Sequence, residues 1–325
     1  MRVLVYGAGG LGLYIAGRLA QAGHAVTLKG RAATVLALRG EPLQMWRDGA
    51  YVEVRDISVV DDIREIRRPD LVVLATRAGQ VRAAAQELAT PHTEGSCVLT
   101  LQNGVDAPTE LAEAIGVERV LAGAIVVTAK RLSHSAVEVV GEEATIALGA
   151  LPPGPAQGVA VPHPQAQRVI EALRGSGIDA SWSGNVVGAL WKQLALLASY
   201  GGVGAVAGAT VGETRGVLET RALVESAMRE VFAVANAMGA ELGKDDLGDI
   251  LRTYERGFSP DTTASMQRDL ASGRPSELAY QNGAVVAHAT RLGIEVPIHR
   301  VIYASQLVRE QTALRVVKAL RTGRV

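Results

Sequence analysis

Apolar and polar positions alternate along the chain in two regimes. Near the start, Val3-Leu4-Val5-Tyr6 is an apolar run that stops at Gly7, and residues 13–22 then place Leu13, Ile15, Ala16, Leu19 and Ala20 on one face at helical spacing. This predicts strand, tight turn and helix in that order. Residues 25–28 read as a second strand, and residues 38–60 alternate weakly around a turn at Asp48-Gly49. Leu71-Val72-Val73-Leu74-Ala75-Thr76 is continuously apolar, as a strand buried on both faces of a parallel sheet must be. A helix over 80–88, strands over 96–101, 117–129 and 137–148, a helix over 166–174 and a strand over 178–183 complete the first regime. A proline-rich loop, Pro152-Pro153-Gly154-Pro155 through Pro164, interrupts it.

From Asn185 onward the pattern is helical throughout, with helices expected over 186–198, 214–239, 244–254, 262–272, 277–292 and 298–320. The expected fold class is α/β, with a Rossmann-type doubly wound sheet over residues 1–184 and an all-helical domain over 185–325. A length of 325 residues also exceeds one ordinary core, so two domains are the default.

The turn after the first strand narrows the function. Gly7, Gly9 and Gly12 are spaced G-x-G-x-x-G between a strand and a helix, the context in which this spacing signals a dinucleotide site. Gly7 can take the turn, Gly9 admits a pyrophosphate close to the backbone, and Gly12 lets helix and strand approach. The helix N-terminus adds N–H donors and the positive end of its dipole. Cofactor choice rests on the residues past the second strand. Lys29-Gly30-Arg31 contains no acid for a ribose 2′-hydroxyl and two cations for a 2′-phosphate, which favours NADP. Arg77 and Asn103 lie at the carboxyl ends of two further strands, where ligands of such sheets bind.

Composition removes other classes. Lys+Arg and Asp+Glu are balanced at 33 each, so no net field draws the chain to nucleic acid or an anionic membrane. One cysteine, Cys97, in an apolar strand excludes an internal disulfide framework and fits a reducing cytoplasm. Residues 194–212 are long and uncharged enough to span a bilayer and carry Gly204, Gly208 and Gly212 at GxxxG spacing. Their glycine- and alanine-rich second half favours a buried helix and turn instead. The six histidines are too scattered for metal spacing, so no metal is expected. Lys130-Arg131 reads as a solvated pair that follows a strand, and Trp182 and Trp191 as packing residues.

Several signatures in order resemble the ketopantoate reductase (2-dehydropantoate 2-reductase) family: the glycine fingerprint with Arg31, Gln102-Asn103-Gly104, Leu190-Trp191, Gly212-Glu213, Ser265-Met266, Glu277 with Tyr280, Asn282 and Gly283, and Gly293-Ile294 before Pro297. The resemblance spans nearly the whole chain. It implies NADPH held by Gly7, Gly9, Gly10, Leu11, Gly12, Lys29, Arg31, Arg77 and Asn103, and a small substrate in a cleft between the domains. It further implies that Asn103 contacts cofactor and substrate, that Ser265 binds a substrate carboxylate, and that Glu277 binds a hydroxyl or supports a catalytic lysine.

The departure lies at that lysine. The family pattern is Trp-x-Lys with Asn four residues on, one helix face, whereas here Gln193 and Leu197 hold those positions and Gly201-Gly202 replaces Asn-Pro. Lys192 is turned about 100° round the helix from Gln193. Glutamine orients a carbonyl but releases no proton at neutral pH. The expectation is therefore an NADPH-dependent reductase of a C=O or C=N group in a larger or more apolar substrate, with Gln193 orienting it and Glu277 as acid or base. Leu197 and Gly201 would form a roomier wall. An authentic ketopantoate reductase using Lys192, and a catalytically silent NADPH sensor, are the alternatives. No nucleic-acid or membrane partner is expected, and a homodimer through the C-terminal helices is compatible with their length.

Overall fold

In the computed structural model, which describes residues 1–152 and 165–321, the first apolar run is strand β1 (Arg2–Tyr6). Val3 and Val5 pack into one hydrophobic layer and Leu4 and Tyr6 into the other, so the sheet is covered on both faces. The proline-rich loop lies, apart from Pro152, outside the described residues.

Packing divides the chain into two compact units: Met1–Gln102 with Asp106–Ala189, and Asn103–Val105 with Leu190–Val325. The division thus falls after Ala189 rather than Gly184, and the short segment after Gln102 groups with the helical unit.

In the first unit, β1 pairs in parallel with β2 (Ala25–Lys29) on one side and β6 (Leu71–Leu74) on the other. The parallel set extends through β5 (Ile57–Val60) beyond β2 and β7 (Cys97–Thr100) beyond β6. Chain order reverses at β1, making its carboxyl end a topological switch point. Beyond β7 lies β8 (Val120–Arg131), antiparallel to β9 (Ala136–Ala150). Along its length β9 pairs with both β3 (Leu43–Arg47) and β10 (Asp179–Trp182), and β4 (Ala50–Val54) closes that edge against β3. The β3–β4 turn uses Asp48 at φ 50° and Gly49 at φ 80°, the left-handed pair a two-residue hairpin requires. Helices α1 (Gly10–Gln21), α2 (Ala32–Gly40), α3 (Val81–Leu88), α4 (Ala107–Ile115) and α5 (Ala166–Gly175) connect the strands.

Helix α2 has no counterpart in the sequence pattern. It buries only Thr34 and Val35, leaves Leu36 76% exposed and begins at Arg31 without a capping side chain. Alanine and leucine propensity sustains it where amphipathic periodicity is weak.

The second unit contains α6 (Val186–Ala207), α7 (Val211–Gly216), α8 (Leu218–Ala237), α9 (Lys244–Arg252), α10 (Ser265–Ala271), α11 (Asn282–Leu292) and α12 (Pro297–Arg321). Helix α6 continues past the expected stop at residue 198 because its glycines face neighbours rather than break the helix. A Cβ at Gly202 would sit 2.7 Å from Asn282 Nδ2, and one at Gly204 2.8 Å from Gln267 Oε1. By length and apolar composition α6 could cross a membrane, yet 78% of its most apolar window is buried within the protein. It is the core helix of its unit.

Pro297 starts α12, and Glu230 on α8 accepts the Ile298 and His299 N–H groups at 2.9 and 3.0 Å. His299 itself is fully buried, between Asn282 Nδ2 at 3.0 Å and the Ala227 carbonyl at 3.0 Å.

Candidate functional site

The glycine loop divides its labour. Gly7 has φ 114°, and a Cβ there would lie 2.9 Å from the Ala75 carbonyl carbon. At Gly12 a Cβ would come within 1.7 Å of the Gly7 oxygen, and at Gly10 within 2.4 Å of the Ala129 oxygen on β8. Protein packing alone therefore demands these three. Gly9 is different: among the described residues a Cβ there would meet nothing within 4 Å, so the space above it is open.

Gly9 also N-caps α1 without any side-chain cap, so Leu11 and the first turn present backbone donors to that space. At the carboxyl ends of β6 and β7, Thr76 Oγ1 and Gln102 Oε1 are buried with no hydrogen-bond partner among the described residues. Gln102 uses its amide nitrogen to hold the Leu74 and Thr76 carbonyls, at 2.7 and 3.1 Å. Open space over a glycine, a bare helix N-terminus and unsatisfied polar atoms at a switch point fit a dinucleotide pyrophosphate.

Beyond β2 the structure corrects the expected cation set. Lys29 is not available to a 2′-phosphate: its ammonium lies 2.8 Å from Glu87 and 3.0 Å from the Tyr6 hydroxyl, which itself donates to Glu87 at 2.7 Å. Burial opposes the Lys29 charge, but the bonds to Glu87 and Tyr6 outweigh it and raise its pKa. Burial likewise pushes Tyr6 up to about 12. The reason is strand alternation: Lys29 shares the face of Tyr6 and points at α3. Arg31, two residues on, has left the strand and is the exposed N-cap of α2. Arg77 is exposed just past β6.

Arg131 is exposed, as the sequence reading has it, and the structure adds a set of hydrogen bonds. Its Nη1 donates to the Ala8 carbonyl of the glycine loop at 3.3 Å, its Nε to the Ser133 carbonyl at 2.9 Å, and its Nη2 reaches His134 Nδ1 at 2.5 Å. Only the pairing of β8 with β9 brings this turn to the loop, so no local signal could have revealed it.

In the helical unit, Asn103 Nδ2 donates to Glu277 Oε2 at 3.1 Å, joining two predicted residues that are far apart in sequence. Gly104, at φ 115°, allows this approach: a Cβ there would lie 2.8 Å from the Tyr280 carbonyl. Glu277 is 9% exposed. Gln193 is buried at 5% and Leu197, one turn along the same face of α6, is half-buried.

The alternative built on Lys192 and the expectation for Gly201 meet a different setting here. Lys192 does not share the Gln193 face; its ammonium is held by Asp246 at 2.9 Å and Asp249 at 3.0 Å, both on α9. Burial disfavours the Lys192 charge, and these carboxylates more than compensate, raising its pKa. Gly201 does not open a wall either, since a Cβ there would lie 2.6 Å from Ala264 Cβ, so that space is already filled by the residue before α10. Ser265, next in the chain, is exposed at the first position of α10.

Three further residues escaped sequence reading. Tyr200, on α6 two turns beyond Gln193, is 5% exposed and stacks obliquely on Phe258 with ring centroids 5.1 Å apart. Burial pushes its hydroxyl up to about 12, against the pull of the neighbouring Arg268 guanidinium. Arg268 on α10 donates to the Thr263 carbonyl and hydroxyl. The i, i+4, i+7 spacing of Gln193, Leu197 and Tyr200 was the available signal.

Comparisons with known proteins cover both units. The ketopantoate reductase PanE/ApbA family matches residues 3–153, and its C-terminal domain matches residues 185–310. A 2-dehydropantoate 2-reductase of Halobacterium salinarum is 29% identical over 311 residues, covering 95% of this chain and 98% of that one. Among solved structures, a PanE/ApbA family ketopantoate reductase from Ralstonia eutropha superposes with TM-score 0.84 at 28% identity, over 97% of this chain and 100% of the other. A D-mandelate dehydrogenase with NADH and anilino(oxo)acetate shares the fold, with TM-score 0.85 at 21% identity over 96% of this chain and 99% of that one. The chain belongs to the ketopantoate reductase family and is an NADP-dependent oxidoreductase with a Rossmann-type domain followed by a helical one.

Proposed function

We propose that the protein reduces a C=O or C=N group in a substrate larger or more apolar than ketopantoate. The observation that carries this is the pairing of Lys192 with Asp246 and Asp249, which leaves the buried Gln193, the residue that the family resemblance sets at the lysine position, without a lysine beside it. No lysine on that helix face can then release a proton.

The glycine loop of the first unit would hold NADPH, whose nicotinamide would supply the hydride. Gln193 orients the acceptor by hydrogen bonding, as an amide can and an aliphatic chain cannot. Glu277, steadied by Asn103, gives the proton that balances the hydride at the developing alkoxide oxygen or imine nitrogen and regains it from water. A substrate that arrives as a protonated iminium would not need this donation. Ser265 takes a polar or anionic group of the substrate. Leu197 and the Tyr200–Phe258 pair supply apolar surface near the same helix face, which supports a bulky or aromatic side group. The buried thiol of Cys97, whose pKa burial pushes up to about 12, suits a reducing cytoplasmic setting.

Ketopantoate itself is the second reading, favoured by the names and near-complete coverage of the relatives. Oxidation of NADPH across a panel of 2-oxo acids, ketones and cyclic imines separates the two. The expected result is a best substrate with a branched or aromatic side group, and a kcat/KM for ketopantoate below about 10⁴ M⁻¹s⁻¹, the lower end for committed enzymes. Ketopantoate emerging as the best substrate sinks the proposal.

A further inference from the structure

Four segments meet beside the glycine loop: the loop itself, the end of β2, the start of α2 and the turn between β8 and β9. A Cβ at Gly30 would lie 3.2 Å from Ala8 Cβ and 3.1 Å from Thr34 Cβ, which fixes the first three together. Thr34 Oγ1 then lies in hydrogen-bond contact with His134 Nδ1 at 2.9 Å, and Arg131 ties the turn to the Ala8 carbonyl. Because the Arg131 guanidinium can only donate, His134 Nδ1 is the acceptor and the ring N–H lies on Nε2, leaving that N–H to donate elsewhere.

The charge balance of this corner is unusual. Burial lowers the pKa of Arg131, and so does the Arg31 guanidinium nearby. Among the described residues neither arginine forms an ion pair, and the Glu41 carboxylate is engaged by the Ser135 hydroxyl at 3.1 Å. Two neighbouring guanidiniums without a counter-ion repel each other, and an anion of charge about −2 relieves that repulsion. Lys29, which the sequence offers as the second cation, is already neutralised by Glu87.

We propose that the β8–β9 turn completes the 2′-phosphate site of the cofactor, with Arg131 and His134 acting beside Arg31, and that this turn sets the preference for NADPH over NADH. The planar guanidinium of Arg131 is already oriented by its bonds to Ala8 and Ser133, so little side-chain freedom is lost when a phosphate binds. His134 contributes the Nε2 donor that the tautomer leaves available. The same contact to Ala8 links the phosphate corner to the glycine loop that receives the pyrophosphate.

Binding of NADPH and NADH to the full chain, followed by fluorescence titration without substrate, tests this. Arg131→Ala should weaken NADPH about 10- to 100-fold, the range of a charge-assisted hydrogen bond, and leave NADH within about twofold. His134→Ala should weaken NADPH by a smaller factor, and Arg131→Lys should recover part of the loss. Calorimetry with 2′,5′-ADP should reproduce the Arg131 effect without a nicotinamide. An unchanged NADPH:NADH ratio in Arg131→Ala, with the ratio collapsing only in Arg31→Ala, overturns the inference while leaving NADP dependence intact. Equal weakening of both dinucleotides in Arg131→Ala also overturns it, because Arg131 would then act only as a scaffold for the loop.

Discussion

Lys192 and Gln193 are adjacent, and the roughly 100° between them round α6 gives them different work. Lys192→Met should leave kcat/KM within about twofold and lower stability by about 1 kcal/mol or less, as expected for a partly exposed ion-pair cluster. Steady-state kinetics and urea denaturation check both, and a hundredfold fall in kcat would restore Lys192 as the proton donor. Glu277→Gln keeps the size of the side chain but removes the acid. It should cut kcat by about 10²–10⁴ without changing the affinity for NADPH. At this scale the sequence was most informative through its family resemblance, which named Asn103 and Glu277, and the fold joins these two by a hydrogen bond. It was least informative for Lys29 and Arg131, because a cation's partner is chosen by whatever the fold sets opposite it.

Among the elements, the turn from β1 into α1 was legible because each glycine answers a local steric demand. That demand makes two substitutions behave oppositely. Gly12→Ala places a Cβ 1.7 Å from the Gly7 oxygen and should destabilise the fold by about 3 kcal/mol or more. Gly9→Ala meets open space and should leave the melting temperature unchanged while weakening NADPH. Thermal unfolding paired with dinucleotide titration distinguishes them; a Gly9→Ala variant that binds normally would show that the pyrophosphate does not approach this residue. Helix α2 and the second half of α6 were not legible. The first buries too little to leave a periodic pattern, and the second carries Gly201, Gly202 and Gly204, which read as breakers until Ala264, Asn282 and Gln267 are seen filling the space beside them.

For the molecule as a whole, pH dependence of stability follows from groups buried in one protonation state. His299 is held neutral, accepting from Asn282 and donating to the Ala227 carbonyl, and burial lowers its pKa to about 4. An unfolded histidine titrates near 6.5, so between these values the unfolded chain binds more protons than the folded one. Stability is therefore at its full value above pH 6.5 and declines as pH falls towards 4, by about 3 kcal/mol from this group. Urea denaturation at pH 7, 5.5 and 4.5 should show the decline. A His299→Gln variant, less stable at neutral pH, should lose most of that dependence; an identical slope in both proteins would assign it to other groups.

What the sequence determined by itself was periodic or covalent: the order of most strands and of the long helices, the glycine spacing, the change of regime near residue 185, and the glutamine at position 193. These follow from side-chain direction and steric size, which are properties of neighbours in the chain. Tertiary structure decided which charges are spent and which remain. It set Lys29 against Glu87, Lys192 against Asp246 and Asp249, and brought Arg131 to Ala8 through the pairing of β8 with β9. Electrostatic partnership depends on distance in space, and no periodicity along a chain records it.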